Sequence, residues 1–369
     1  MLRLLHMGDL HLGCALGSFS PRVAAARRIR ALETLEKVLA QAQERHVDLI
    51  LLAGDCFDTE APDPDTVRRL FSLFSQAEVP VVIAPGNHDP YRRGGVWDSV
   101  PLPPNVFLFR DAQTAYFDLK ELGVRVYGYA FTDATHEAPV LPTADVLDKN
   151  FANILLAHAD MLSPQSPYAP ITGEALAASG FCFAALGHVH KPMAARRFGD
   201  TVAAYSGFFA GCGFDECGEG HVNFVQIEGG RVVVTPLETK ADRFEICTLD
   251  LTGADSGETV RLRVADFLEG AAYPPETAVR LVLCGEVGVA CVPDAAALLR
   301  LGVSYALFEV KDDTVPLYDK VLLEKDPSLR GAFYRAMKDR LSNEDPAVRA
   351  IAAEALRLGL AALSGRELL

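Results

Sequence analysis

The chain has 369 residues, half of them hydrophobic, and a formal net charge of −14. That length points to about two domains, and a charge of this sign counts against a stand-alone nucleic-acid binder, although a local patch or bound metal ions can reverse the field at one site. No apolar run approaches the roughly 18 to 20 residues of a membrane span, and the opening MLRLLHMGDL reads as a strand and not a cleavable signal; a soluble, cytoplasmic protein with no membrane partner is expected.

Short apolar runs alternate with helical patterns in the first part. The expected strands are Leu2–Met7, Asp48–Ala53, Val79–Ala84, Arg125–Tyr129, Asn153–Ala157 and Phe181–Leu186. A helix over Pro21–Arg45 has Ser20 as its cap, Pro21 at its first position and Ile29, Leu32, Leu35, Val38 and Leu39 at helical spacing. A second helix spans Pro64–Gln76. Strand–helix–strand repetition of this kind indicates a layered α/β domain. From Thr201 to Leu237 the pattern becomes hairpins, the later one turning at Gly229-Gly230. Glu238–Arg243 is the expected boundary between a first domain over 1–240 and a small α/β domain over 244–322, with strands at Phe244–Leu251, Ala278–Gly285 and Ser304–Val310. A helical segment over 326–369 closes the chain, its two helices opening at Asp326-Pro327 and Asp345-Pro346. The eight cysteines, at 14, 56, 182, 212, 217, 247, 284 and 291, contain no C-x-x-C pair, so buried reduced thiols are expected in place of a thiolate metal site.

Five polar motifs each follow an apolar strand: Asp9-x-His11, Gly54-Asp55, Gly86-Asn87-His88-Asp89, His158 and Gly187-His188-Val189-His190. Ligand sites of α/β sheets gather beyond the carboxyl ends of the strands, so the five can converge. Residues two apart on extended backbone point to the same side, which lets D-x-H and H-x-H each serve one ion. Asp9, His11, Asp55, Asn87, His158, His188 and His190 are too many ligands for one ordinary site, and the two oxygens of Asp55 suit it to bridge a pair of ions. The expected division is Asp9, His11, Asp55 and His190 for one ion and Asp55, Asn87, His158 and His188 for the other. Mixed imidazole and oxygen donors favour manganese, with zinc or iron as alternatives. His88 is left over and is the expected general acid, with Asp89 orienting its ring. His6, His46, His136 and His221 lie outside the motifs and are read as structural or exposed.

The order D-x-H, G-D, G-N-H-D, H, G-H-x-H resembles that of the calcineurin-like metallophosphoesterases. HMGDLHLG, DLILLAGDCFDTEAP, VPVVIAPGNHDP, ILLAHADM and FCFAALGHVHKP extend the resemblance to the SbcD-type DNA repair exonucleases of bacteria, densely over about residues 1–200. The resemblance implies an α+β fold, a four-layer α/β/β/α sandwich with a small C-terminal capping domain and terminal helices. It also implies two manganese ions, cleavage of DNA phosphodiesters, and a coiled-coil ATPase partner of the SbcC/Rad type that docks on the closing helices. Asp58 stands where some relatives carry histidine, and Tyr205-Ser206-Gly207-Phe208 replaces a tyrosine-proline-glycine-serine turn. A homodimer through the early helices is a further arrangement to consider.

Arginines at 22, 27, 28 and 30, then Arg92 and Arg93, and then Lys191, Arg196 and Arg197 are candidate basic surfaces; the last two groups adjoin the motif loops and are the expected contacts to a phosphate backbone. Tyr91 and Tyr168 lie near the same loops and are read mainly as packing residues. A small-molecule or cyclic-nucleotide phosphoesterase with the same dinuclear site is the alternative activity, and a non-catalytic platform is disfavoured because no ligand position is lost.

Overall fold

The computed structural model describes residues 1–191, 193–288, 291 and 293–363. Positions 364–369 of the expected terminal segment, and 289, 290 and 292 of the expected capping domain, lie outside the described residues. The chain divides into two compact units, Met1–Phe244 and Glu245–Leu369.

In chain order the first unit contains β1 (Leu2–Met7), α1 (Pro21–Glu44), β2 (Leu49–Leu52), α2 (Pro64–Ser75), β3 (Val81–Ile83), β4 (Val106–Leu108), β5 (Ala115–Leu119), β6 (Val124–Gly128), β7 (Ala152–His158), α3 (Gly173–Ser179), β8 (Phe183–Gly187), β9 (Arg196–Phe198), β10 (Thr201–Tyr205), β11 (His221–Glu228) and β12 (Arg231–Glu238). They form two six-stranded sheets, ordered β12-β11-β1-β2-β3-β4 and β5-β6-β7-β8-β10-β9. β1 to β4 run parallel in the first, and β6, β7, β8 and β10 run parallel in the second.

Near-continuous apolar strands follow from burial on both faces. On β2, Leu49 and Leu51 join a core that also holds Val126, Ile154, Leu156, Phe183 and Val202 of the other sheet. Ile50 and Leu52, one residue out of phase, pack instead with Leu35 and Val38 of α1 and with Leu70, Phe71 and Phe74 of α2. The outer face of the second sheet contributes Leu155, Ala157, Leu186 and Tyr205 to a core with Leu176 of α3. The order is therefore helix, sheet, sheet, helix, the four-layer α+β sandwich that the family resemblance implies.

Polar contacts also cross between the sheets. His6 on β1 is fully buried; its Nε2 lies 3.1 Å from the Leu186 carbonyl of β8, and its Nδ1 lies 3.3 Å from the Asn223 amide of β11. Burial lowers this imidazole to about 3, so it is neutral, donating from Nε2 and accepting at Nδ1. The Asn223 amide also donates to the Tyr205 carbonyl of β10 at 2.9 Å.

Some local expectations change. Ser20 precedes α1 but makes no side-chain cap, and Ile29 is 58% exposed, while Ala24 and Ala42 are buried in its place. Asp63, in contrast, caps α2 through the Asp65 and Thr66 amides. The short strands β4, β5 and β9 are absent from the sequence-based set, because three to five residues carry too little alternation to stand out.

The second unit contains β13 (Phe244–Asp250, starting at the join), α4 (Gly257–Ala271), β14 (Ala278–Cys284), β15 (Glu286–Gly288), α5 (Ala295–Leu301), β16 (Leu307–Asp312), β17 (Val315–Leu317), α6 (Lys320–Lys325), α7 (Leu329–Leu341) and α8 (Pro346–Leu363). A β13-β14-β16 sheet and a β15-β17 pair accompany a core of Val260, Val264, Leu268, Leu281, Leu283 and Leu298. Asp326-Pro327 does not open a helix: Asp326 ends α6 in extended conformation, as a residue before proline prefers, and Ser328 precedes α7.

Trp97, the only tryptophan of the chain, is buried against Phe57 and Phe71 and donates Nε1–H to the Asp89 carbonyl at 2.6 Å. Phe71→Ala is expected to destabilise the first unit by about 3–5 kcal/mol. Urea unfolding followed by the Trp97 fluorescence checks this, and an unchanged midpoint contradicts it.

Candidate metal centre

Five parallel strands deliver the motifs to one end of the sandwich. Asp9 and His11 follow β1, Asp55 follows β2, Asn87 and His88 follow β3, His158 ends β7, and His188 and His190 follow β8. The first two loops are stitched together by Asp9 N–H to the Gly54 carbonyl at 3.1 Å and His11 N–H to the Asp55 carbonyl at 3.0 Å. Asp9, His11, Asp55 and His188 all have positive φ, between 42° and 98°, a costly conformation for residues with a Cβ that clusters at functional sites. Gly86 is required by space: a Cβ there would overlap the Asp55 carboxylate.

Asp9, His11, Asp55 and His190 place one ligating atom each within 4.8 Å of all the others. His11 Nε2 and His190 Nε2 are 3.2 Å apart, Asp9 Oδ1 is 3.6 Å from His190 Nε2, and Asp55 Oδ2 is 3.8 Å from His11 Nε2. His158 Nε2 lies 3.3 Å from Asp55 Oδ2 and 2.9 Å from Asn87 Oδ1. Asp55 thus borders both groups. His188 adjoins the second through its ring, which crosses that of His158 edge-on at 5.1 Å, while its backbone N–H reaches both oxygens of Asp9 at 3.0 and 3.1 Å.

The charges are nearly all buried. Asp9 and Asp55 are each 1% exposed and His158 is fully enclosed. Burial alone would raise Asp55, but His158, His11 and His88 outweigh it and hold the carboxyl well below the usual range. Burial would lower His11 and His158. For His11 the Asp58 hydrogen bond and the Asp55 and Asp9 charges prevail, and for His158 the Asp55 and Asp9 charges; both imidazoles rise to about 9. His188 moves the other way, to about 4, through burial and the neighbouring His158.

These donors fit divalent cations. His11 Nδ1 faces Asp58 Oδ1 at 3.0 Å and His190 Nδ1 faces a Glu216 oxygen, so each ring can keep its proton on Nδ1 and turn a lone pair toward the other at Nε2. In that tautomer the two lone pairs face one another 3.2 Å apart with two carboxylates beside them, an arrangement that a cation among them would stabilise. His158 repeats the arrangement, Nδ1 donating to the Ala53 carbonyl at 2.9 Å and Nε2 facing two oxygens. Imidazole with carboxylate and amide oxygen is a donor set for a transition metal.

Three residues take parts that the motifs did not indicate. Asp89 does not contact His88. Its buried carboxylate accepts the Gly86, Cys56 and Phe57 amides at 2.8, 2.7 and 3.1 Å, binding the third motif loop to the second. Burial and the Asp55 charge push it up to about 7, against the pull of the Gly86 and Phe57 amides. The residue facing the His88 ring is Asp58, with its carbonyl 3.2 Å and its Oδ1 3.7 Å from Nδ1. Glu216, which no motif contains, is 6% exposed and also accepts the Cys212 N–H at 2.7 Å. The one prior signal for Glu216 was its setting in GFDECGEG, between two predicted strands.

The basic candidates separate. Arg92 is paired with Glu60 and Asp133, each at 3.1 Å. On β9, Arg196 covers the Phe198 ring and Arg197 donates to the Asp200 carbonyl. Arg93 and Lys191 are exposed and have no ion-pair partner among the described residues. Arg27 and Arg30 pair with Asp242, and Arg28 donates to the Cys14 and Ala15 carbonyls, so these three serve the fold. Tyr168 packs against His188 at 4.8 Å.

The family model for the calcineurin-like phosphoesterases matches residues 2–192, more than half of the chain, and the chain belongs to that family. It is 29% identical over 202 residues to the Bacillus subtilis protein described as "Uncharacterized metallophosphoesterase YhaO", covering 52% of this chain and 49% of that one. It is 26% identical over 232 residues to the "DNA double-strand break repair protein Mre11" of Methanopyrus kandleri, covering 56% and 48%. With the protein of that name from Haloferax volcanii the identity is 28% over 274 residues, covering 72% and 59%. The chain thus spans about half the length of the curated relatives it matches. No helix among the described residues is long and apolar enough to cross a membrane.

His11 and His158 have folded values of about 9 against an ordinary 6.5, so their stabilising contribution is complete below pH 6.5 and is lost as pH rises toward 9. The melting temperature of the metal-free protein is expected to fall across that interval. A bound cation needs the neutral imidazoles, so manganese affinity should rise over the same range with release of protons. Calorimetry in buffers of different ionisation heat checks both; pH-independent binding contradicts them.

Proposed function

We propose that the chain is a metal-dependent phosphodiesterase that cleaves DNA, as the nuclease subunit of a repair assembly. The observation that carries the chemistry is the pair of converging donor groups bordered by Asp55, with one more imidazole, His88, left at the open rim. Asp9, His11, Asp55 and His190 would hold one ion; Asp55, Asn87, His158 and His188 would hold the other. Manganese is the first choice and zinc or iron the alternatives. Bound there, two such ions polarise a phosphoryl group and lower the pKa of water.

The protein's own groups supply position and a proton. The His88 N–H donates to Asp55 Oδ1 at 3.0 Å, fixing the loop against the shared carboxylate. Its side chain is 43% exposed, Nδ1 is taken by Asp58, and Nε2 is left to deliver a proton to the departing oxygen. Asp89 acts by holding the backbone of that loop.

A DNA substrate is supported by the relatives named Mre11. Of the basic side chains, Arg93 and Lys191 are exposed and without an ion-pair partner among the described residues, so they are available to meet phosphates, while Arg92, Arg196 and Arg197 would first exchange their present partners. For an SbcC/Rad-type coiled-coil ATPase, the supporting feature is the exposed apolar side chains of the last three helices: Val321 and Leu322 on α6, Leu329 on α7 and Ile351 on α8 are each more than 60% exposed.

The test is digestion with manganese of linear duplex DNA, single-stranded DNA and a chromogenic phosphodiester. Cleavage of DNA is expected; turnover of the chromogenic ester alone would favour a small-molecule phosphoesterase. His88→Ala should retain two metal ions per chain and lose roughly 10²- to 10⁴-fold in rate, and full activity would remove His88 from the mechanism. Asp55→Ala should lose both ions by elemental analysis.

A further inference from the structure

The two groups of donors differ in what stands behind them. In the first, His11 Nδ1 faces the Asp58 carboxylate at 3.0 Å and His190 Nδ1 faces the Glu216 carboxylate. In the second, His158 Nδ1 donates to a neutral carbonyl, that of Ala53, at 2.9 Å, the amide of Asn87 takes the place of a carboxylate, and His188 lies against the Tyr168 ring. Four carboxylates, Asp9, Asp55, Asp58 and Glu216, therefore surround the first pocket or its imidazoles. Around the second, Asp55 is shared, Asp9 Oδ1 lies 4.0 Å from His158 Nδ1, and no carboxylate hydrogen-bonds to the outer nitrogen of His158 as Asp58 and Glu216 do to those of His11 and His190.

Each difference acts in the same direction. A carboxylate on the outer nitrogen of a ligating histidine fixes its tautomer and strengthens it as a donor, more than a carbonyl does. The added negative charge attracts a dication in a site where water screens little. Glu216 is well held for this role, being buried and having its second oxygen anchored by the Cys212 N–H at 2.7 Å.

We propose that Glu216 and Asp58 are positioning residues that make the Asp9–His11–Asp55–His190 pocket the tighter of two ion sites, so that two divalent cations bind in a fixed order with this pocket first. The inference rests on the dinuclear reading of the site. It adds that the ion of this pocket stays when the other is lost, and that occupancy of the His158–Asn87 pocket decides at limiting metal whether the protein is fully loaded.

Manganese titration of the metal-free protein, followed by calorimetry and by the electron paramagnetic resonance of unbound manganese, tests it without reference to activity. Two classes of site are expected in the unaltered protein. Glu216→Gln retains the shape and an acceptor oxygen and removes only the charge. It should raise the Kd of the tighter class roughly 10- to 100-fold and move the weaker class less than about threefold; Asp58→Asn should do the same. Asn87→Ala should weaken the other class alone. Two equal sites in the unaltered protein, or equal weakening of both classes by Glu216→Gln, overturns the order of filling. Fewer than two ions in the unaltered protein overturns the dinuclear reading beneath it.

Discussion

Everything at this site depends on keeping several ionisable groups dry and close together. Asp9, Asp55 and His158 are almost wholly withdrawn from water, and buried charges of this kind persist only when paired. Here the pairing is mutual. The imidazoles hold Asp55 ionised, and the carboxylates raise His11 and His158 against a burial effect that would lower them. The same balance describes a pocket for cations, since protons on these rings occupy places that a metal would take. Proton and metal compete for one set of lone pairs.

Holding those groups requires a rigid frame, and the sandwich provides it in layers. The parallel strands bring each motif to the same end, and the loops beyond them are tied by backbone links from β1 to β2 and by the three amides converging on Asp89. His6 and Asn223 join the sheets near the base of the site by polar contacts inside an otherwise apolar interior. The strained φ values at four of the candidate ligands are sustained by this surrounding structure. A floppy loop would relax them and lose the cluster.

The basic residues show how little a linear pattern says about free charge. Arg92 sits beside the His88 motif in sequence, but Glu60 and Asp133 claim it. Arg27 and Arg30 look like a basic patch along α1 and instead converge on Asp242, with Arg27 also lying over the Phe19 and Phe244 rings. In a chain of net charge −14, acidic neighbours are plentiful, and an arginine is most often spoken for.

Much of the first unit was legible in the chain itself. Apolar runs ending in Gly-Asp, Gly-Asn-His-Asp and Gly-His-x-His marked the strands and the turns that bear the candidate ligands, because strand burial and ligand chemistry each demand particular residues at short, local spacing. The helix joint at Asp326-Pro327 was misplaced because a proline after aspartate serves equally to begin one helix or to end another. What only the tertiary structure decided was which groups meet. Asp89 turned away from its neighbour His88 to bind three backbone amides, Asp58 came to face two imidazoles, and Glu216 arrived from a loop 26 residues past His190. Such partners are chosen by distance in space, on which adjacency in sequence has no hold; the local pattern determines what a side chain can do, and packing determines to whom it does it.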